Sequence, residues 1–549
     1  VGAKLVGVAV AGAHKPPRET EEPEQTMQKS LEPSPENAPP ARQPRIAHNV
    51  VSNWMAFAFG VVVTFFLSPF VVHSIGNTAF GVWVLVVSMT GYLGFMDLGV
   101  RNAVTRYVSK FHALGEHESA SRVVSSAFSI FSVSGLLAVG FALVVATFAN
   151  RWFDIPAEFQ WQARVAFFLA GLNICIWLIN GVFAGVVVGM QRFDLMNKTG
   201  IAIGIIRAGV IVFALSSGGG LITLSIIELG AVLSRCLCNV WWAFRLYPKL
   251  RVRLSLGNRQ MVGMIFSFSV FSFLLDVAND LIHYTDAVVI GAFLPVSMIT
   301  FFAIGANMRN YARGLVGGLS NALLPAASKM EAETQHNKLQ HLVLNAVRFA
   351  SLIIMAIAGT YMLRGRTFID LWMGREYGEL SGRVLWILSI ALIFGACNQV
   401  AQSVVLGMSR HRAVVPVVVA EGLTNLGLSI LFVRSMGVVG VAWGAAIPSL
   451  AVSLLFWPWY MRRTLHIPIL QYAASAWLRP GMALIPFLIA TFALEHFWIP
   501  KNLPIFFAQV AIVLPLAIAG FWYFCLDGSE RADYSSRLRS SLPLAWRRT

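Results

Sequence analysis

Titratable and cationic side chains stand inside stretches of this chain that are otherwise too apolar to hold them. Asp276, Asp280 and His283 fall at i, i+4 and i+7 within the apolar stretch 261–291, on one helical face, with Asn279 beside them and Asp286 nearby. A charge at membrane depth is costly and faces a partner or a wet cavity. A carboxylate on such a wall suits H+ or Na+ binding, which makes Asp276, Asp280 and His283 candidates for ion coupling; the competing reading is interhelical hydrogen bonding that fixes packing. Asp286, near the far end, is expected to be merely solvated. Stretch 296–323 carries Arg309 and Arg313, again i and i+4, with Asn307 and Asn310. Arg207, Glu228, Arg235, Glu421 and Asn425 lie in other apolar stretches. A guanidinium is always charged and binds phosphate oxygens two at a time, so mid-membrane arginines suit a diphosphate. On this basis Arg309, Arg207, Arg313 and Arg235 are candidate substrate ligands, Asn425 stands with them, and Glu421 joins the ion-coupling set. For Arg235 the alternative is a pair with an acid such as Glu228, or snorkelling to the surface. Gln399 and Gln402 suit sugar hydroxyls, or helix packing.

The elements that must position these groups follow from composition. Of 549 residues, 57% are hydrophobic and 12% charged, with mean hydropathy +0.67, whereas soluble domains carry about 25% charged residues. The apolar residues come in blocks near the length needed to span about 30 Å of hydrocarbon as helix. An all-α polytopic membrane protein of about fourteen spans is expected, which excludes a soluble enzyme, a nucleic-acid binder and a peripheral protein.

Residues 1–47 hold six basic and six acidic residues, and the segment 15–45 is rich in Pro, Glu, Gln and Ser. That composition predicts a disordered cytoplasmic tail. The run LVGVAVAGA has the size of a signal-peptide core but a weakly basic flank, and a true start near Met27 would look the same. The net charge of +16 therefore resides in the remaining chain. Connections bearing Arg101, Arg106, Lys110 and Arg122, then Arg192 and Lys198, then Arg245 to Arg259, alternate with HSIGNTA and SSGGG, which hold no Lys or Arg. The excess of Lys and Arg places both termini in the cytoplasm. One connection dissents, RGRTFIDLWMGREYGELSGR at 364–383, read as an outer loop whose four arginines are partly balanced by Asp370, Glu376 and Glu379. The five cysteines, all in apolar segments, read as small apolar residues.

A repeat is visible at an offset of 218 to 219: Asn102, Ala103, Ser109 and Lys110 over Asn321, Ala322, Ser328 and Lys329; Gly189, Met190 and Arg192 over Gly407, Met408 and Arg410; Trp241 and Arg245 over Trp459 and Arg463. An even number of spans per repeat gives two lobes of like orientation, related by a pseudo-two-fold along the membrane normal with a pathway between them. The expected division is an N-lobe at 48–245, a C-lobe at 246–465, two extra spans at 466–526, and a basic cytoplasmic tail at 527–549.

Five stretches carry a family resemblance: FMDLGVRNAVTRYVSKFHALGE (95–116), GMQRFDLMN (189–197), HYTDAVVIGAFL (283–294), FIDLWMGREY (368–377) and EGLTNLGLSILFVRSMGVVGVAWGAAIPS (421–449). In this order, over about 45–525, they resemble the polysaccharide flippases of the multidrug/oligosaccharidyl-lipid/polysaccharide exporter superfamily. The resemblance implies an alternating-access carrier in two lobes. It would move an isoprenoid-diphosphate-linked oligosaccharide, such as an O-antigen or exopolysaccharide unit, across the bacterial inner membrane, coupled to an H+ or Na+ gradient. It implies a cationic central cavity, and it places Asp97, Arg101 and Arg106 at the cytoplasmic end of span 2 as a gate. Asp286 belongs to the span 7 signature, and Glu421 and Asn425 to span 11. A polysaccharide polymerase and glycosyltransferases are the expected protein partners, with no nucleic acid and no cofactor. The similar lipid II flippases share the fold. A multidrug or small-cation antiporter of the same superfamily is the alternative, disfavoured by mid-membrane arginines. A membrane polymerase or ligase would need a large catalytic outer loop, and the sequence holds neither that nor a phosphate-cradling Gly-Lys-Ser loop.

Overall fold

In lipid every backbone N–H and C=O must be bonded within the chain, and helices do this locally. The computed structural model describes residues 46–257, 259–408, 410–528, 530–532 and 535; the side chains at 46–54, 259–260, 266–272, 275–276, 319, 321–322, 396 and 411 are not described. The expected disordered tail, the alternative start at Met27, the Asp276 side chain and most of the basic C-terminal tail lie outside the described residues. All the regular structure described is helical. Helix α1 (Ile46–Gly91) is followed by a tight turn at Tyr92–Asp97 and by α2 (Val100–Ala113). Then come α3 (His117–Trp152), α4 (Ala157–Gly189), α5 (Phe193–Ser216) and α6 (Leu221–Leu246). The second half has α7 (Arg259–Phe293), α8 (Ser297–Ala332), α9 (His336–Trp372), α10 (Arg375–Gly407), α11 (Val415–Met436) and α12 (Val438–Leu465). The closing pair is α13 (Ile469–Phe497) and α14 (Leu503–Cys525).

Eleven helical stretches among the described residues are long and apolar enough to cross a membrane. The first, Met55–Ala113, covers two of the expected crossings, because α1 is two helices joined across a kink at Gly76 (φ 81°, ψ 164°), a conformation open to glycine at no steric cost.

Two features depart from the sequence reading. The segment after Gly99, expected as a connection, is helix α2, which buries Val100, Ala103, Val104, Val108 and Phe111 against α3 and α4. The dissenting loop at 364–383 is not a loop: α9 and α10 run through it, interrupted only at Met373 and Gly374. Arg364 is wholly buried, with Nε donating to Glu495 of α13 at 2.8 Å and Nη2 to Gln509 of α14 at 2.5 Å. Its guanidinium also lies 4.6 Å from the Phe506 ring centroid. Glu379 pairs with both Arg366 and Arg383. Three of the four arginines that conflicted with the orientation rule thus have acidic partners, and Glu495, more than a hundred residues away, is the acid that sequence inspection missed.

Helices α2 to α6 pack on one another, as do α8 to α12, and α13 and α14 attach to α9. Helix α7 touches both groups, packing on α11 on one side and on the 92–97 turn, α2 and α3 on the other. Two apolar clusters draw on both halves: in one Val82, Leu85 and Val86 meet Ile290, Ile299 and Phe302, and in the other Val71, Val72 and Phe80 join Ile304, Met308 and Trp372. At the same end Thr300 donates to the Asn77 carbonyl at 2.7 Å, and Tyr377 bonds the Asn77 side chain. The opposite end, which carries the basic connections, has two separate cores. One is built around Val104, Phe131 and Val186, the other around Val347, Val404 and Met461. The halves are joined at one end and have their own cores at the other.

Candidate functional site: two chambers divided by helix α7

Successive residues of a helix point about 100° apart, so Asp280 and Tyr284 look one way from α7 while Asn279 and His283 look another. The first pair faces a cavity of about 770 Å³ in the N-terminal group. Its wall is built by α1, the 92–97 turn, the start of α2, α4, α5 and α6. Trp83, Thr90, Asn102, Asn173 and Trp177 line it together with two ion pairs. Asp97 accepts from the Arg101 backbone N–H at 3.3 Å and stands 3.3 Å from that residue's guanidinium. Arg101 in turn lies over the Trp177 ring, 4.3 Å from its centroid. Arg207 of α5 donates to Glu228 of α6, Nε to Oε1 at 2.7 Å, with Nη2 on the same oxygen. Gly91 borders the chamber because a side chain there would collide with the Tyr284 ring at 2.5 Å.

The second pair faces the C-terminal group. Asn279 and His283 line a smaller chamber of about 90 Å³ with Arg309 and Arg313 of α8, Gln399 and Gln402 of α10, and Glu421 of α11. The i, i+4 spacing puts both guanidiniums on one wall, and Glu421 is the electrostatic partner of Arg313. Arg309 is 9% exposed, and its Nε has no hydrogen-bond partner among the described residues. Behind it, away from the chamber, lies Asp286. Rather than being solvated at a helix end as expected, Asp286 is 1% exposed. It faces Arg309 and the Asn425 side chain. Asn425 is equally buried, accepts from Ser429 at 3.1 Å, and does not line the chamber. An intermediate space of about 310 Å³ shares Trp83, Arg207, Glu228 and Tyr284 with the first chamber and His283 with the second, and adds Asn307 and Asn310.

The candidate residues therefore do not gather in one cationic cavity. Arg309, Arg313, Gln399, His283 and Glu421 come together; Arg207 and Asp280 lie across α7 with Asp97 and Arg101. Glu228 bonds Arg207, not Arg235, which is exposed and outside the chambers. Arg106 projects beside the Tyr107 ring, away from the cavity wall that Asp97 and Arg101 form. The stripe on α7 is split because Asp280 and His283 are three residues apart, enough to straddle the partition. Trp83, Trp177, Asn173 and Tyr284 had no polar spacing to single them out in the sequence; as aromatics and amides in apolar spans they were indistinguishable from packing residues.

The geometry accords with what the chain is similar to. Residues 75–382, more than half of the chain, match the family described as "Polysaccharide biosynthesis protein". A Shigella flexneri protein, provisionally named an O-antigen transporter, is 20% identical over 400 residues, covering 72% of this chain and 93% of that protein. The uncharacterized membrane protein EpsK of Bacillus subtilis is 18% identical, covering 76% and 83%. Among solved structures, the inward closed lipid II flippase MurJ superposes with TM-score 0.67 at 12% identity, over 86% of this chain and 98% of that one. An inward-facing multidrug resistance transporter of the MATE family gives 0.64 at 14%, over 74% and 94%. These likenesses establish the fold as that of MATE and MurJ transporters. With the family match spanning both groups of helices and the α7 partition, the chain belongs to the polysaccharide biosynthesis protein family of multi-pass membrane flippases and exporters.

Proposed function

We propose that the protein flips an isoprenoid-diphosphate-linked oligosaccharide from the inner to the outer leaflet of a bacterial plasma membrane, with both termini cytoplasmic. The observation that carries this reading is the Arg309 and Arg313 pair, held inside the helical bundle on one wall of a chamber. Guanidiniums there match a diphosphate in charge and in fork geometry. The N- and C-lobes would rock about the joined end to expose the chambers to each side in turn, with the 13–14 hairpin moving with the C-lobe. Asp276, Asp280, His283 and Glu421 are the proposed H+ or Na+ coupling groups, and Asp97, Arg101 and Arg106 the proposed gate. Polymerase and glycosyltransferase partners follow from the same role. The N-terminal cavity supports a second reading, export of an organic cation, since its three carboxylates outnumber its two guanidiniums.

The test is deletion in the host with complementation by Arg309→Ala, Arg313→Ala and the pair. Stranding of lipid-linked intermediates on the cytoplasmic leaflet, rescued by the wild type and not by the double variant, is expected. Normal surface polysaccharide with altered drug sensitivity would move the cation reading to first place.

A further inference from the structure

The two chambers differ in charge, size and lining chemistry, and the difference divides the headgroup between them. The C-terminal chamber presents Arg309 and Arg313 against Glu421 in about 90 Å³, space for several waters at roughly 10–15 Å³ each. That admits phosphate groups and excludes a sugar chain. The N-terminal cavity is the reverse. Arg101 stands beside Asp97 and Arg207 bonds Glu228, and with Asp280 on the wall three carboxylates face two guanidiniums. A diphosphate would be repelled there. Its volume of about 770 Å³ lies within the range of organic-ligand pockets, about 300–1,000 Å³. Trp83, Trp177 and Tyr284 present ring faces, and Asn102, Asn173 and the carboxylates present planar, two-atom hydrogen-bonding edges. Apolar ring faces beside paired acceptors and donors are what the C–H faces and neighbouring hydroxyls of a pyranose require.

We propose that the N-terminal cavity is the glycan subsite: sugars stack on Trp177 and Trp83 and bond Asn173 and Asn102, while the diphosphate lies across α7 on Arg309 and Arg313. The intermediate space that shares residues with both chambers is the passage joining them. A ligand held this way touches both groups of helices at once, so its binding draws them together. The inference rests on the flippase reading and sharpens it, because the cavity that selects the cargo is then not the cavity that holds its charge.

The experiment measures binding of two probes to the purified full chain in nanodiscs: undecaprenyl diphosphate alone, and the same lipid carrying the host's oligosaccharide. Trp177→Ala and the milder Asn173→Ala are each expected to weaken the glycan-bearing lipid about tenfold, the effect of losing one central contact of about 1.4 kcal/mol, and to leave the bare diphosphate unchanged. That unchanged binding also shows that each variant is folded. Arg309→Gln is expected to weaken both lipids alike. Equal loss for both lipids in Trp177→Ala and Asn173→Ala, or no loss for either, overturns the glycan subsite while leaving the flippase reading intact. Ethidium binding abolished by Asp280→Asn, with no discrimination between the lipids, overturns it in favour of a cation site. Failure of the wild type to bind either lipid sinks the flippase reading itself, and this inference with it.

Discussion

Arg364 shows how a single buried charge is held. Its Nε and Nη2 reach Glu495 and Gln509, and Thr367 bonds the same glutamate, so α9, α13 and α14 are tied at one point. Removing one partner of a buried pair strands the other, at about 3–5 kcal/mol, whereas replacing both with apolar side chains is close to neutral. Arg364→Met is therefore expected to lower the thermal midpoint of the purified protein sharply, and Arg364→Met with Glu495→Leu to recover most of it. A double variant as unstable as the single one would show that the arginine acts through packing on Phe506 rather than through the pair. Along the same helix Arg348 donates to the Cys525 carbonyl at 2.6 Å and to Glu530 at 2.9 Å. The α13 and α14 hairpin is thus fastened to α9 near both of its ends.

Individual elements are set by such end contacts. At the start of α5, Arg192 donates to Asp194 at 2.9 Å and 3.1 Å, which holds that carboxyl below its ordinary value. A depressed carboxylate contributes stability above the unfolded value, about 3.9, and loses it as pH falls through the folded one. Asp194→Asn is expected to remove about 0.3–1 kcal/mol at neutral pH and to cost nothing in acid below both values, read from melting curves across pH. At the joined end, Thr300 and Tyr377 both bond Asn77. Thr300→Val with Tyr377→Phe removes two bonds worth about 0.5–1.5 kcal/mol each. A cysteine at buried position Ala79 should then react faster with maleimide; unchanged reactivity would mean that the apolar cluster alone holds this end shut.

Across the whole molecule the apolar clusters are shared between the halves at one end and separate at the other, where the basic connections lie. On the proposed orientation, with both termini cytoplasmic, this arrangement is inward-facing, and a ligand bridging both groups across α7 should bring the end with separate cores together. Spin labels at Lys110→Cys and Lys329→Cys, in a background lacking the five native cysteines, are expected to approach when lipid-linked oligosaccharide is added. Labels at Asn77→Cys and Thr300→Cys should separate. If neither distance responds, rocking about the joined end is wrong.

Much of this protein could be read from its sequence by itself. The apolar blocks required spanning helices, because unpaired backbone cannot exist in hydrocarbon. The same background made Arg309, Arg313, Arg207, Asp280 and His283 conspicuous, since their cost demands a use or a partner. Their grouping was not legible there. Which acid neutralises Arg207 or Arg364, which side of α7 Asp280 faces, and why Asp286 is buried depend on contacts between segments distant in the chain. Local spacing carries no record of those contacts. Only the packing of helices could separate one expected cationic cavity into two chambers of unlike charge, because a helix carries its side chains all round and its neighbours decide which face looks into which space.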